Sequence, residues 1–566
     1  MMLAKADFDF LRTALMREGC SAGIGARKCQ RLGRYSLPAL LLSKPKGSIS
    51  AESFIYQPFL RRRRNWPLGF VGSALGLSGS GDPPRRGTKA FLAASAVAQI
   101  CALARYTVLA RLLGPEQLGL AAILILTAQF FESVTDSGSD RFLVQDKAGD
   151  DPALLSLTHL VSLGRGLLIA AGLVILAGPI AALAGAAELA PDMAVLAVAP
   201  LVMGLVHWDY RRQQRASDFR GEGRIVLVAE VVSLIATTGA ALMVRDFTAI
   251  LYGLIARALV TMIMSHLVAR QRYALGYAGE FAPRLARFAW PLMVNGLLIF
   301  IGGQGDRILI SNQLGVAELG HYSAVMLLIY YPSAMLMRFM TTMFLPRLAA
   351  RKDEAAWERA REALAGQTML AGLAMQLGFV LVAPIAVPLL YGERFEVAWL
   401  AVALIAILQS ARFVRMWPVT EAIGLGRSHI VMIGNAVRLL AFPGAIAGLA
   451  LLGGLEGIVA AFILAELIAF VLGLVMVNHA HRARFFEGAA RFSYFMIGSA
   501  LLLVIVIAQR EAWWSVMAGG GLFLLVWAAL LIRAEWPLLQ DMLIMLDRAT
   551  GRRLLPVIRA AGRRSG

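Results

Sequence analysis

"SNQLGVAELGHYSAV" (residues 311–325) and "ARLLGPEQLGLAAIL" (residues 110–124) carry the same device. Leu113-Gly114 is followed by Leu118-Gly119, and Leu314-Gly315 by Leu319-Gly320. A shift of 201 residues superposes the two pairs, and a shift of 203 lays "GEGR" (221–224) on "GLGR" (424–427). A nearly constant offset over so long a stretch predicts two homologous halves. Gly114, Gly119, Gly315 and Gly320 read as tight turns between the first two helices of each half. Their leucines would seat the turn on the helix ends. The device reads as a register mark rather than a binding site.

Composition says what the halves are made of. Apolar residues make up 58% of the chain and charged ones 16%. A soluble domain has about 45–50% and about 25%. Apolar runs long enough to cross a hydrocarbon layer of about 30 Å as helices follow one another from residue 89 to 533. The expected fold class is all-α: a polytopic membrane protein with about fourteen transmembrane helices. Two parallel six-helix repeats are followed by two extra helices, at 492–509 and 513–533. The expected division is a basic, disordered extension over 1–86, a first lobe over 87–283, a second over 284–481, and the extra helices with a basic tail over 482–566. The extension holds Arg61-Arg62-Arg63-Arg64 and ends in "SGSGDPPRRG". It reads as cytosolic or as an upstream start unused in the cell, with a transit peptide as the alternative.

Arginine placement orients the chain. Even-numbered loops carry Arg211, Arg212 and Arg215, then Arg270 and Arg272, then Arg347 and Arg351. Odd loops carry little. By the positive-inside rule the even loops and both termini are expected to be cytoplasmic. That rule also accounts for most of the net charge of +19, so a nucleic-acid partner is not implied. Cys20, Cys29 and Cys101 form neither a disulfide framework nor a metal site. "HAH" (479–481) lacks further ligands. No phosphate loop, zinc-hydrolase motif or nucleophile elbow occurs, so neither an enzyme nor a cofactor is expected.

The informative residues are charges inside spans. One arginine at mid-bilayer costs about 2.5–3.5 kcal/mol on insertion scales. Arg105, Arg165, Arg257 and Arg438 are therefore expected to line a protein or water-filled interior, as a cationic cavity for a phosphate-bearing substrate. Snorkelling is the competing reading for Arg257, Arg338 and Arg412. Glu132 and Asp136, one helical turn apart, are expected on one face, and Glu230 lies inside the fifth span. Asn295, Gly302 and Asp306 form a polar stripe along the seventh. Asp306 is either a substrate or proton-coupling group, or a structural partner of an arginine such as Arg105.

"DRILISNQLGVAELGHYSAVMLL" (306–328) resembles the seventh-to-eighth helix signature of bacterial oligosaccharide flippases of the Wzx type: Asp306, Arg307, the two Leu-Gly pairs, Tyr322 and Ala324. "ARLLGPEQLGL" (110–120) with "FFESVTDSGSDRFLVQD" (130–146) resembles that family's first two helices. The resemblance covers roughly residues 89–480; the basic extension departs from it. It implies two six-helix lobes within the superfamily that also contains multidrug extruders. It implies flipping of undecaprenyl-diphosphate-linked oligosaccharide for O-antigen, capsule or exopolysaccharide. Its implied partners are that lipid-linked oligosaccharide, the bilayer, and polysaccharide polymerase and chain-length proteins. Competing readings are a cation-coupled multidrug exporter of the same fold, a membrane glycan polymerase or ligase, and an assembly scaffold.

Overall fold

In a computed structural model, residues 88–350, 354–395, 397–481, 495–503 and 506 are described. The expected extension over 1–86, most of the last two spans and the tail lie outside them. The described residues form helices without strands. Twelve of these are long and apolar enough to cross a membrane, and they fall where the sequence puts the first twelve spans. The chain is a multi-pass membrane protein.

In chain order the helices are α1 (Thr88–Leu113), α2 (Pro115–Val134), the short α3 (Ser139–Gln145), α4 (Pro152–Ile175), α5 (Ala177–Leu183), α6 (Ala190–Leu196), α7 (Val198–Gly204), α8 (Asp209–Arg215), α9 (Arg220–Val244) and α10 (Ala249–Val268). They continue as α11 (Ala282–Leu314), α12 (Val316–Ala350), α13 (Glu354–Tyr391), α14 (Trp399–Val414), α15 (Met416–Gly424), α16 (Ser428–Val437), α17 (Ala441–Leu452) and α18 (Gly454–His481).

Proline punctuates several spans by one rule. A proline has no N–H for the carbonyl four residues back, and its ring clashes there. Pro179, Pro200 and Pro418 stand three residues after the breaks at Leu176, Ala197 and Arg415. Pro443 follows the 3₁₀ turn Arg438–Leu440. Pro291, Pro332 and Pro384 instead lie within helices that run through. Two of the breaks thus put an arginine at the kink of a membrane span.

The two Leu-Gly turns are built alike. Gly114 (φ 87°) and Gly315 (φ 95°) adopt a backbone that side-chained residues avoid. Gly114 N–H bonds Ala110 O at 3.0 Å and Gly315 N–H bonds Ser311 O at 3.1 Å. The second register mark is looser. Gly223 of "GEGR" is helical, whereas its counterpart Gly426 sits in a left-handed turn (φ 70°) before α16. Helix α9 starts at Arg220, ahead of its motif, while α16 starts only after it.

α1, α2, α4, α7, α9 and α10 pack together, as do α12 to α18. α2 joins the halves by packing on α12 and α11. One large apolar core spans both halves around the Leu-Gly turns, with Leu109, Leu118 and Leu124 beside Leu319, Tyr322 and Ile329. Towards the opposite, arginine-rich end it divides into separate clusters around Phe344 and Trp417, Leu143 and Leu154, and Val206 and Tyr210. Exposed apolar side chains such as Ile175, Met243, Leu267 and Leu451 lie on the spans, where lipid would cover them.

Candidate functional site

The contact between halves starts at the turns. A methyl group on Gly119 would overlap the Val316 carbonyl oxygen, and one on Gly320 would overlap that of Pro115. The same shift relates Gly119 to Gly320 and Pro115 to Val316, so the contact is reciprocal, as across a two-fold axis. The reading of the turn as a register mark alone is corrected: its second glycines are what let the halves touch. One flank of the seam is tied further. Ser311 Oγ donates to Ala184 O at 2.6 Å near the turns, and at the basic end Arg284 pairs with Asp146 while Phe142 packs on Phe288.

Two networks hold most of the interior arginines that the sequence singles out. In the first half Glu230 of α9 takes Arg105 of α1 at 3.3 Å and Arg257 of α10 at 2.7 Å. Arg105 also donates to Ser233. In the second half Glu466 of α18 takes Arg438 at 2.6 Å, Arg415 at 2.8 Å and Arg412 at 3.5 Å. Arg415 and Arg438 are the residues at the proline breaks, which aim them at one carboxylate. Arg438 also donates to Gly302 O at 2.6 Å. Asp306 accepts from Arg412 at 3.0 Å and from the Tyr322 hydroxyl.

Several expectations change. Asp306 does not pair with Arg105; each finds an opposite charge within its own half. Arg412 is deep inside rather than snorkelling, while Arg338 is exposed. Arg105 and Arg438 are buried and ion-paired, because an unpaired buried guanidinium would be prohibitive. Glu132 and Asp136 do not share a helical face, since α2 ends at Val134. Asp136 instead holds the following turn, accepting from Gly138 N–H at 3.1 Å and Arg141 at 2.8 Å. The stripe on α11 faces the neighbouring span: Asn295 accepts from Asn435 at 3.3 Å, and Gly302 lies against Arg438.

A cavity of about 330 Å³ lies inside the first half, between α2, α4, α7, α9 and α10. Its charged lining is balanced: Arg165, Arg211 and Arg257 against Glu132, Glu222 and Glu230. Of the four arginines expected in a cationic cavity, Arg165 and Arg257 line this one and Arg105 and Arg438 do not. Arg165 has no carboxylate partner among the described residues; it donates to Thr135 Oγ1 at 3.0 Å and Glu132 O at 2.8 Å. Sequence reasoning missed Arg307 as a site residue. It is half-buried, has no ion-pair partner among the described residues, and acts electrostatically on Tyr106 of α1, as does Arg257. Its adjacency to Asp306 was the available signal: one step along a helix turns it about 100° away from its neighbour's partner.

The segment joining the halves is gripped by histidines. His159 Nδ1 donates to Ala274 O at 3.0 Å, and its Nε2 accepts from Trp208 N–H at 3.1 Å. His207 Nε2 donates to Gln271 O at 3.0 Å, and its Nδ1 accepts from Asp209 N–H at 3.2 Å. Tyr273 stacks on His159 with centroids 4.4 Å apart. Both rings thus need one bare nitrogen and are neutral. Burial holds His207 below the usual histidine range. Burial pushes the Asp209 carboxyl up, but hydrogen bonds from Arg270 N–H, Gln213 and Arg212 outweigh it and hold it below its ordinary value.

Twelve spans among the described residues, repeated motifs and paired interior charges fit a membrane transporter fold. Residues 108–400 match the family described as polysaccharide biosynthesis protein, and the chain belongs to it. It is 24% identical over 344 residues to the succinoglycan biosynthesis transport protein ExoT of Rhizobium meliloti (strain 1021), covering 60% of this chain and 69% of that one. Among solved structures, the inward closed conformation of the lipid II flippase MurJ superposes with a TM-score of 0.61 at 14% identity, over 80% of this chain and 99% of that one. An inward-facing multidrug resistance transporter of the MATE family superposes with a TM-score of 0.54 at 15% identity, over 73% and 98%. These two likenesses are of fold.

Proposed function

We propose that the chain flips a polyprenyl-diphosphate-linked oligosaccharide across the bacterial inner membrane for polysaccharide biosynthesis, with its arginine-rich end and termini in the cytoplasm. Family membership and the likeness to a succinoglycan transport protein support the substrate class. One observation supports the mechanism. Arg257 of the first half and Arg307 of the second are both partly exposed, and both act electrostatically on Tyr106 of α1. A diphosphate held between them would bridge the halves, the guanidinium planes pairing with its oxygens. The polyprenyl tail stays in lipid. The halves are joined at the turns and along one flank at the basic end, and rocking about this seam would carry the substrate from the cytoplasmic face to the outer one.

The multidrug reading fits less well, because a lining of three arginines and three glutamates gives a cationic drug no net attraction. The test is translocation of fluorescent undecaprenyl-diphosphate oligosaccharide in proteoliposomes. Arg257→Gln with Arg307→Gln is expected to slow it by about 100-fold, taking about 1.4 kcal/mol for each lost charge contact. Unchanged transport by the double variant would overturn this reading.

A further inference from the structure

We infer that the basic-end half of the cavity in the first lobe is a saccharide subsite, built around Trp208, Tyr210 and the Arg211–Glu222 pair. This rests on the transport reading and adds where the sugars sit. Along α9 the cavity runs from Glu230 to Glu222, a rise of about 12 Å. Its mid-membrane end carries Arg257, half-exposed and paired with Glu230. Its other end carries an aromatic pair, Trp208 and Tyr210, stacked with centroids 5.8 Å apart at 27°. Beside them Arg211 holds Glu222 at 2.8 Å.

The chemistry of this end suits a hydroxyl-rich ring. Carboxylate and guanidinium groups accept from and donate to sugar hydroxyls, while an aromatic face packs on the C–H face of a pyranose. Equal numbers of arginines and glutamates leave no net charge, which suits sugar better than phosphate or a cationic drug. The Trp208 indole N–H is buried without a hydrogen-bond partner among the described residues. A buried donor left unpaired is costly, and a ligand hydroxyl within its reach would relieve it. With the diphosphate at Arg257 and Arg307, sugars descending this cavity reach Trp208 next.

The test compares two lipids on the full chain in nanodiscs: undecaprenyl diphosphate, and the same lipid bearing a hexose disaccharide. Wild type is expected to bind the disaccharide lipid more tightly. Trp208→Leu removes the aromatic face, and Val226→Phe fills the cavity without touching its charges. Each is expected to weaken the disaccharide lipid about tenfold and the bare lipid by less than about twofold. Trp208→Phe should keep most of the difference. Should Trp208→Leu fail to fold, judged by thermal unfolding, Val226→Phe carries the comparison. Equal weakening of both lipids, or of neither, overturns the subsite and leaves the transport reading standing. A wild type that binds neither lipid sinks the transport reading, and the subsite with it.

Discussion

The carbonyl oxygen of Val316 lies against Gly119 so closely that no side chain fits between them, and Pro115 meets Gly320 in the same way. The chain has placed the same glycine twice, and each copy receives the backbone of the other half. A third turn of this type, at Gly453, brings Gly448 and Gly457 together within the second half alone.

Replacing Gly119 or Gly320 by alanine must therefore part the halves, because the obstacle is backbone and cannot rotate away. Each variant is expected to lose about 1–3 kcal/mol, the usual cost of overpacking. The double variant should lose less than the sum, since one separation relieves both clashes. Thermal unfolding of the purified protein checks this. Full additivity would show that the two glycines do not share a contact.

The two classes of interior arginine should behave differently. Arg105→Gln leaves Glu230 buried with one partner fewer, and Arg438→Gln takes from Glu466 its nearest. Breaking a buried pair costs about 3–5 kcal/mol, so both should lower expression and melting temperature. Arg165→Gln removes only hydrogen bonds to a hydroxyl and a carbonyl at the cavity wall. Its melting temperature should hardly move, and any loss should appear in transport. A large drop in its stability would contradict this placement.

Tyr322→Phe removes the hydroxyl that donates to Asp306 but keeps the Arg412 pair. A hydrogen bond to a charged group is worth about 1.5–3 kcal/mol, so the variant should fold with a loss in that range. Tyr322→Phe as stable as wild type would mean that Arg412 alone satisfies Asp306.

Acid should loosen the connector between the halves. Above about pH 6.5, folded and unfolded His207 are both neutral and its bonds are intact. As pH falls below that value the unfolded chain takes up the proton first, because burial depresses the folded pKa, so stability is lost as pH falls. Asp209, Arg212 and His266 also face this ring, and its Nε2 bond to Gln271 O opposes the shift. Melting temperature from about pH 8 to about pH 5 should slope down in wild type and less steeply in His207→Gln, whose amide can both donate and accept. Parallel slopes would remove His207 as the cause.

Much of the architecture was legible in residue order. A membrane helix satisfies its own backbone, so length and hydropathy alone locate it. The spans are local patterns of this kind, and the twofold repeat shows in the recurrence of the Leu-Gly pairs. The candidate site was less legible. Arg105, Arg257 and Glu230 were visible as charges inside spans, and so was Asp306. Their pairing was not, because partners such as Arg105 and Glu230 lie on helices far apart in the chain.

The sequence by itself determined that this is a helical membrane protein of two related halves, since burial in lipid admits few other solutions for such a composition. Only the tertiary structure decided that Asp306 answers Arg412, that the cavity in the first half carries as many glutamates as arginines, and that Arg307 has no acid partner among the described residues. Charge in a low-dielectric interior is paid for by the nearest opposite group, and which group is nearest depends on how helices pack. The Leu-Gly turn shows both sides. Its repetition is written in the sequence, but its use as the meeting point of the halves appears only when Gly119 and Val316 are brought together.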